Sequence, residues 1–270
     1  MSLELQTRFA AAQAAVREAG HLARRYFKVR DTLKTDEKGV QDLVSEADKA
    51  VETLLMKRFS QSFPDDGFLG EESGAHGDRE NLWVIDPIDG TANFLRGLPY
   101  WSISIAYVSA GQVELGVIYD PIVGELFAAQ RGAGASRDGE PIRASNCAEM
   151  AQCTFGLSFS RRMSIETYKT IIGRLLQSAG EYRRMGSAAL MLAHVADGRL
   201  DGYYTAHLNS WDVLAGLLIA REAGAWTSDF LVDDGLKKGN AALACSPQIR
   251  EELVSILDCG PLPGGTGPFR

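Results

Sequence analysis

The spacing of apolar residues changes along this chain, and the order of the changes restricts its fold. Residues 3–29 carry apolar side chains at helical spacing, and a second helical pattern follows Ser45. Between residues 102 and 142, short strand patterns separated by turns predict a β-meander. After about residue 150 the patterns of strand and helix alternate. Helices that flank sheets in this way predict a layered α/β or α+β fold.

Composition excludes several classes of protein. The net charge of −7 argues against unaided binding of nucleic acid, because such proteins need a basic surface to neutralise phosphates. No stretch reaches the ~18 apolar residues of a membrane span, and the N-terminus lacks the apolar run of a signal peptide. Scattered cysteines without a CxxC pair are typical of a reduced intracellular protein without a zinc site. We therefore expect a cytoplasmic protein with no direct nucleic-acid partner and no membrane partner. The four cysteines are Cys147, Cys153, Cys245 and Cys259.

The length of the chain, 270 residues, is enough to bury a sizeable core within one domain. We predict a single domain over residues 1–260, with an N-terminal half at about 1–145 and a C-terminal half at about 146–260. Residues 261–270 are expected to form a flexible tail. Residues 34–42, KTDEKGVQD, are predicted to be a polar connector between the first two helices.

Residues 86–94, DPIDGTANF, place two carboxylates three positions apart directly after the apolar run WVI. A chain that turns through Pro87 can bring the carboxylates of Asp86 and Asp89 to one point. The carbonyl group of Ile88 would lie between them. Carboxylate and carbonyl oxygens are the ligands that Mg²⁺ and Ca²⁺ prefer. The motif therefore predicts a site for a divalent ion.

The next two residues of the motif suit a phosphate group. Gly90 and Thr91 would begin a helix, whose free N–H groups point outward and can hold an anion. Glycine also permits a close approach of the backbone to such a group. A metal site beside a phosphate site is typical of metal-assisted phosphoryl chemistry, in which ions screen the phosphate and activate water.

Each acid near this motif also has an ordinary structural interpretation. Asp86 could begin a turn, and Asp89 or Asp212 could cap the helix that follows it. Glu71 and Glu72, in the segment GEES, could lie on a surface loop. However, all of these acids lie at junctions beside strongly apolar segments, where carboxylates would repel one another unless a cation lay between them. Together they favour a shared metal site.

Five segments of the chain resemble the signatures of the inositol monophosphatase family, the Mg²⁺-dependent, lithium-sensitive phosphatases. The segments are QDLVSEAD, GEES, WVIDPIDGTANF, RRMGSAAL and SWDVLAGLLIAREAG, in the family's order and at its intervals across roughly residues 5–257. The resemblance implies a layered αβαβα sandwich, two or three Mg²⁺ ions and a homodimer. It also implies a phosphoric monoester hydrolase in which metal-activated water attacks the phosphate of a small metabolite directly.

The resemblance also implies which residues form the site. The implied metal ligands are Glu71, Asp86, Asp89, Asp212 and the carbonyl group of Ile88. The implied catalytic residues, which would orient the attacking water, are Glu71, Thr91 and Asp48. The implied substrate contacts are Asp89, Gly90, Thr91, Gly186, Ser187, Ala188, Thr205 and Asp212. Asp48 has an equally good alternative role, because Ser45 and Asp48 have the spacing of a helix capping box.

Thr205 departs from the family pattern. Inositol-specific members carry a glutamate at this position, seven residues before the aspartate of SWD, and a threonine supplies no carboxylate. Inositol 1-phosphate is the substrate that the resemblance favours, while histidinol phosphate, fructose bisphosphate and adenosine 3',5'-bisphosphate remain alternatives. A non-enzymatic role as a partner of the transcription machinery is a further alternative.

Overall fold

The computed structural model describes residues 3–39, 42–78 and 80–258, and the tail predicted at residues 261–270 lies outside them. The helices are α1 (Leu3–Lys28), α2 (Glu46–Ser62), α3 (Thr91–Arg96), α4 (Ile165–Gln177), α5 (Ala188–Ala196), α6 (Ser210–Glu222), α7 (Gly235–Lys238) and α8 (Arg250–Leu257). The strands are β1 (Thr35–Gly39), β2 (Asp42–Ser45), β3 (Gly67–Gly70), β4 (Gly74–His76), β5 (Asn81–Asp89), β6 (Ser102–Ser109), β7 (Gln112–Asp120), β8 (Glu125–Gln130), β9 (Ala135–Arg137), β10 (Glu140–Pro141), β11 (Thr154–Ser158), β12 (Glu181–Arg183), β13 (Gly202–Leu208), β14 (Trp226–Thr227) and β15 (Asn240–Cys245). None of the helices in the described part of the chain combines the length and the hydrophobicity that a bilayer crossing requires.

The elements stack in five layers, in the order helix, sheet, helix, sheet, helix. The larger sheet has eight strands in the order β10-β9-β8-β7-β6-β5-β3-β4, and the smaller has five in the order β12-β11-β13-β15-β14. Helices α1 and α2 cover the outer face of the larger sheet. Helices α5 and α6 lie between the two sheets, and α4 and α8 cover the outer face of the smaller sheet. The αβαβα sandwich expected from the sequence is confirmed.

The alternation of side chains along β5 explains why the larger sheet is covered on both faces. Trp83 and Ile85 point into the layer of α1 and α2. Leu82 and Val84 point in the opposite direction, toward α5 and α6. These two helices are buried on nearly every side, as expected of helices enclosed between two sheets. The middle helical layer therefore joins the two sheets.

The segment predicted as a polar connector, residues 34–42, differs from the expectation. Strands β1 and β2 pair there as an antiparallel hairpin, with Thr35 opposite Ser45. A hairpin that pairs through its backbone does not require alternating apolar residues, so the sequence pattern contained no strand signal. The β-meander is confirmed as the consecutive strands β6 to β10. The alternation of strand and helix after residue 150 is confirmed as well.

Candidate metal and phosphate site

A bulge in β5 brings the two acids of the DPIDGT motif together. Asp86 lies opposite Ser104 of β6, whereas Asp89 lies opposite Ser102, so β5 has one residue more than its partner. In a regular strand, residues three positions apart point to opposite faces of the sheet. The extra residue of a bulge re-aims the side chains that follow it, and here it brings both carboxylates to one side. The sequence predicted a turn at Pro87, whereas the strand continues through this residue.

Asp86 is the most deeply buried acid of the motif, with 1% of its surface exposed. Its Oδ1 atom accepts a hydrogen bond from the backbone N–H of Ile88 at 3.0 Å. Its Oδ2 atom is buried and has no hydrogen-bond partner among the described residues. A hydrogen bond between Asp86 and the neighbouring carboxyl of Glu71 requires one of the two carboxyls to carry a proton. Burial, reinforced by the charges of Glu71, Asp89 and Asp212, raises the pKa of the Asp86 carboxyl well above its usual value.

Asp89 joins the motif to the start of α5. Its Oδ2 atom accepts hydrogen bonds from the hydroxyl of Ser187 and, at 2.8 Å, from the N–H of Ala189. Its Oδ1 atom accepts one from the N–H of Ala188 at 3.1 Å. Burial raises the pKa of the Asp89 carboxyl to about 6, and these hydrogen bonds oppose the rise. Asp89 therefore holds residues 187–189, which include two of the implied substrate contacts, beside the DPIDGT motif.

Asp212 lies in the first turn of α6. One of its oxygens, Oδ2, accepts a hydrogen bond from the N–H of Asn209 at 2.8 Å, as in a capping box. The start of α6 is fixed to the larger sheet, because the hydroxyl of Ser104 donates to the carbonyl of Trp211 at 3.2 Å. The helix-capping interpretation of Asp212 is thus confirmed. Asp212 also belongs to the acidic cluster, because one of its oxygens lies within 4.8 Å of oxygens of Asp86 and Asp89.

Glu71 lies half-buried in the turn that follows β3. Its N–H donates to the carbonyl of Ile85 at 3.2 Å, which ties the turn to the middle of β5. The carboxyl of Glu71 is close enough for its charge to raise the pKa of Asp86. The structure therefore brings Glu71 to the acids of the DPIDGT motif, although β3 and the motif are separated in sequence.

Thr91 and Asp48 are in contact, as the resemblance implied. The Thr91 hydroxyl lies 3.1 Å from Oδ1 of Asp48 and 3.0 Å from the carbonyl oxygen of Ile88, and either can accept its hydrogen. The other oxygen of Asp48 accepts from the N–H and the hydroxyl of Ser45 at 2.9 and 2.6 Å. The capping box predicted at the start of α2 is therefore confirmed. Burial raises the pKa of the Asp48 carboxyl, while the hydrogen bonds from Ser45 and Thr91 oppose the rise.

The start of α3 is packed against the loop that precedes α5. Gly90, the N-cap of α3, has a φ of 99°, a left-handed conformation that favours glycine. A Cβ atom at this position would lie 3.1 Å from the carbonyl oxygen of Gly186. The side-chain amide of Asn93 donates to the carbonyls of Tyr100 and Met185 at 2.7 and 2.8 Å. The two implied phosphate-contacting segments are therefore held against each other.

Thr205 is fully buried in the middle of β13. It shares a face of this strand with Tyr203, whose pKa is raised by burial and, in part, by the charges of Asp89 and Asp212. The position therefore faces the layer that contains the acids. Its hydroxyl lies 3.4 Å from the carbonyl oxygen of His207. Because the side chain is fully buried, a contact with substrate stays a prediction.

The three aspartates are close enough to share an ion. One oxygen from each of Asp86, Asp89 and Asp212 lies within 4.8 Å of the others. The donor set consists of oxygen atoms, which are the ligands that Mg²⁺ prefers. The Oδ2 atom of Asp86 is buried and has no hydrogen-bond partner in the described part of the chain, so a bound cation would satisfy its negative charge. The residues present therefore fit Mg²⁺.

Sequence reasoning missed several polar residues that hold the site together. The hydroxyl of Ser102 lies 3.4 Å from Oδ2 of Asp89, and Ser104 binds the start of α6. Their signal was the segment SISI, in which serines alternate with isoleucines and so share one face of a buried strand. Glu52 was missed as well, although it is an acid on the buried face of α2. Asn93 had no signal beyond its turn-forming character.

Known proteins resemble this chain over almost its whole length. The model of the Inositol monophosphatase family matches residues 4–258. The Nus factor SuhB of Pasteurella multocida is 40% identical over 245 residues, which cover 89% of this chain and 92% of the relative. The crystal structure of the extragenic suppressor protein suhB from Bartonella henselae is similar with a TM-score of 0.88 and 35% identity, over 94% of this chain and 100% of that chain. The IMPase of Thermotoga maritima gives a TM-score of 0.82 and 34% identity, over 94% of this chain and 96% of that chain.

Proposed function

The chain belongs to the inositol monophosphatase family, and we propose that it is a Mg²⁺-dependent phosphomonoesterase acting on a small phosphorylated alcohol. The observation that carries this proposal is the meeting of Asp86, Asp89 and Asp212 within 4.8 Å, directly before the start of α3. An acidic site built from oxygen ligands beside a helix N-terminus suits a divalent ion and a phosphate group together.

The acids would hold the ions in this proposal. Asp86, Asp89 and Asp212 would supply carboxylate oxygens, with Glu71 as a fourth acid and Ile88 as a carbonyl ligand. When bound, such ions lower the pKa of a coordinated water and screen the charge of the phosphate. The family resemblance implies two or three ions, a number that calorimetric titration with Mg²⁺ would measure.

Thr91 and Asp48 would orient the attacking water. The Thr91 hydroxyl can donate its single hydrogen to Asp48 at 3.1 Å, which leaves its oxygen free to accept a hydrogen bond from water. With Glu71 as a second acceptor, these residues would direct the water at phosphorus in line with the leaving alcohol. This arrangement supports direct hydrolysis without a phosphorylated enzyme.

The phosphate would lie between the starts of two helices. The backbone N–H groups of Gly90 and Thr91 begin α3, and no side chain of the described residues caps that helix. Residues 186–188 precede and begin α5 and would line the other side of the phosphate. The N–H groups of Ala188 and Ala189 already donate to Asp89, so those of α3 would be the main phosphate donors. N–H groups at helix starts bind phosphate because their partial positive charge faces the anion.

We propose inositol 1-phosphate as the substrate, and Thr205 is the main argument for the alternatives. A buried threonine offers no carboxylate to the hydroxyl groups of inositol, so selectivity would have to come from other residues. Histidinol phosphate, fructose bisphosphate and adenosine 3',5'-bisphosphate are the competing substrates.

The experiment is a measurement of phosphate release from these four substrates, each with Mg²⁺ and with EDTA. We expect the largest kcat/KM for inositol 1-phosphate, and no release with EDTA. A larger kcat/KM for another substrate would replace inositol 1-phosphate and keep the enzyme class. Absence of Mg²⁺-dependent release from all four would refute the proposed chemistry. Asp86→Asn is the matched control, because it removes a proposed metal ligand and little volume.

A second role is favoured by the similarity to relatives called Nus factor SuhB. We propose that the chain also binds a protein of the transcription machinery, as a homodimer. The net charge of −7 disfavours direct contact with nucleic acid, so nuclease treatment should leave the complex intact. Affinity capture from lysate with and without nuclease tests the partner, and light scattering tests the dimer. Loss of the captured protein after nuclease treatment would contradict direct binding.

A further inference from the structure

Two cysteines far from the acidic cluster are in direct contact. The sulfur atoms of Cys147 and Cys153 lie 3.0 Å apart. Both lie 3.4 Å from the carbonyl oxygen of Glu149, at the inside of the short loop that joins them. Cys147 is half-buried, whereas Cys153 is buried. A small movement would therefore bring the two sulfur atoms to bonding distance.

The surroundings of the pair favour a bond between the thiols over a shared metal ion. Asp201 is the third potential metal ligand nearby. However, its Oδ1 atom accepts a hydrogen bond from the hydroxyl of Ser145 at 2.5 Å, and its Oδ2 atom accepts one from the N–H of Thr154 at 2.7 Å. Burial, with the contact to Cys147, raises the pKa of the Cys153 thiol. Because Cys147 is half-buried and Cys153 is buried, Cys147 is the thiol that an oxidant in solution reaches first.

We propose that Cys147 and Cys153 form a reversible disulfide when the protein meets hydrogen peroxide. Cys147 loses its proton to solvent, and its thiolate attacks one peroxide oxygen. The O–O bond breaks, Cys147 becomes a sulfenic acid, and the released hydroxide takes up a proton from solvent and leaves as water. The sulfur of Cys153 then attacks the sulfur of Cys147, and the S–O bond breaks. The released hydroxide takes the proton of Cys153 and leaves as a second water. Two thiols are oxidised and one peroxide is reduced.

The place of this pair in the fold predicts what oxidation changes. Cys153 directly precedes β11, while the acids lie near the carboxyl end of β13, which runs parallel to β11. The loop around Cys147 is tied to the smaller sheet, because Ser246 donates to the carbonyl of Cys147 at 2.7 Å. The disulfide should therefore raise the melting temperature and leave phosphatase activity unchanged.

Tryptic mapping after peroxide treatment tests the proposal, because residues 144–161 form one tryptic peptide that contains both cysteines. Free thiols are trapped with N-ethylmaleimide in denaturant before digestion. We expect this peptide to lose two hydrogen atoms and to carry no maleimide, and to carry two maleimides after reduction with dithiothreitol. The variant Cys153→Ser should show neither the loss of two hydrogens nor the rise in melting temperature.

Three results would overturn the disulfide. The first is two maleimides on this peptide after peroxide treatment. The second is a bond between Cys147 or Cys153 and Cys259, which lies in the separate tryptic peptide 251–270. The third is stoichiometric zinc in the purified protein that Cys147→Ser abolishes, which would make the pair a metal site.

A second inference, which rests on the proposed function, concerns Glu52 of α2. Its carboxylate is buried, with 2% exposed surface. Its two oxygens accept hydrogen bonds from the N–H groups of Glu72 and Ser73, at 3.0 and 2.8 Å. A Cβ atom at Gly70 would lie 2.5 Å from one of these oxygens, so the carboxylate fills the space beneath the turn.

The contacts of Glu52 fix the turn that carries Glu71. On one side, the N–H of Glu71 binds the carbonyl of Ile85 at 3.2 Å. On the other side, the next two N–H groups bind Glu52. Hydrogen bonds to a carboxylate are stronger than those to a neutral acceptor. We infer that Glu52 is a positioning residue, which holds the backbone of Glu71 so that its carboxylate can join the ion site.

Glu52→Gln tests this role, because glutamine keeps the shape and replaces one acceptor oxygen by a donor. We expect Mg²⁺ affinity to fall about tenfold, the lower end of the loss usual when a partner of a metal ligand is removed. We also expect faster hydrogen exchange at Glu72 and Ser73 in protein without added metal. The control is Leu253→Ala, which destabilises the distant layer of α8 and should leave Mg²⁺ affinity unchanged.

The two readouts separate this inference from the proposed function. If Glu52→Gln binds Mg²⁺ as tightly as the parent and its amides at residues 72–73 exchange at the parent's rates, the positioning role is overturned. If the parent binds no Mg²⁺, the proposed function is refuted. In that case unchanged exchange at residues 72–73 would still refute the contact as an anchor of the turn, and faster exchange would support it.

Discussion

Several acids of this site use one carboxylate oxygen for the backbone and present the other to a different partner. Oδ2 of Asp212 caps α6, and Oδ1 of Asp86 binds the N–H of Ile88. Asp48 binds Ser45 with one oxygen and is within reach of Thr91 with the other. The capping and site interpretations of such residues are therefore compatible, because a carboxylate has two oxygens with separate directions.

The variants Asp212→Asn and Asp89→Asn should both lose most activity but differ in stability. Removal of one preorganised electrostatic contact, such as an oxyanion-hole donor, costs roughly 2.7–4 kcal/mol of transition-state stabilisation in other enzymes, and we expect a loss of similar size here. Asparagine at 212 keeps an oxygen for the cap, whereas an amide at 89 would place hydrogens against the N–H groups of α5. Measurement of kcat and of the melting temperature checks both statements. Near-native turnover of either variant at modest Mg²⁺ would remove that residue from the ion site.

His194 should make stability fall in mild acid. Burial, together with the charge of Arg199, lowers the pKa of this histidine to about 4. Between about pH 6.5 and pH 4 this histidine binds a proton in the unfolded chain but not in the folded chain. The free energy of unfolding therefore decreases as pH falls through this range. The expected loss between about pH 7.5 and pH 5 is about 2 kcal/mol in the free energy of unfolding. Urea unfolding of the parent and of His194→Gln isolates this contribution, and an equal pH dependence of the two proteins would contradict it.

Among single residues, the sequence was sufficient to identify the clustered acids but not the residues that hold them in place. Asp86, Asp89 and Asp212 were recognisable because they lie at the ends of apolar runs. Glu52 was not, because its partners are backbone groups 20 residues away or more, which spacing does not reveal. The burial of Thr205 was equally out of reach, since it depends on packing between the two sheets.

Among the elements, β5 differs from the prediction at Pro87, although the predicted approach of Asp86 and Asp89 is observed. The expected turn at Pro87 is a bulge within a strand that extends to Asp89. Proline lacks an N–H, so it is tolerated where a bulge interrupts the ladder. The register that produces the bulge is set by pairing with β6, a strand that follows α3 in the sequence. Sequence alone therefore predicted the meeting of the acids without the geometry that causes it.

Asn93 links two elements and should affect substrate binding when it is removed. In Asn93→Ala the carbonyls of Tyr100 and Met185 lose their donor. We expect a loss of about 1–3 kcal/mol in stability, since two hydrogen bonds worth about 0.5–1.5 kcal/mol each are removed. We also expect a higher KM, because the loop before α5 is no longer held against α3. Steady-state kinetics and urea unfolding measure the two effects, and an unchanged KM would place this loop outside the substrate site.

For the whole molecule, the layer order followed from the family resemblance, whereas the connection between the halves did not. The strand and helix patterns by themselves predicted only that helices flank sheets in layers. The contact of Asp89 with the start of α5 joins residues about 100 positions apart, and no local pattern contains it. Such contacts follow from the packing of two sheets on one helical layer.

We expect the described fold to unfold in a single cooperative step, because α5 and α6 bury their apolar surfaces against both sheets. Separate unfolding of either half would expose this middle layer to water. Trp83 and Trp101 lie in the layer of α1 and α2, Trp211 packs against the middle layer, and Trp226 lies in the layer of α4 and α8. Tryptophan fluorescence therefore reports on tertiary packing around both sheets, whereas circular dichroism reports on the helices. Coincident urea transitions by fluorescence and circular dichroism are predicted, and two separated transitions would divide the chain into independent domains.

We propose that the acids form one Mg²⁺ site that hydrolyses a phosphate ester. The rate of phosphate release from inositol 1-phosphate, measured as the Mg²⁺ concentration is varied, tests this directly. We expect a rate that rises with Mg²⁺ to a plateau, disappears with EDTA and returns when Mg²⁺ is restored. The same titration of Asp86→Asn should show almost no release at any Mg²⁺ concentration. If EDTA leaves the parent rate unchanged, or if Asp86→Asn matches the parent, the acids do not form a Mg²⁺ site for this hydrolysis.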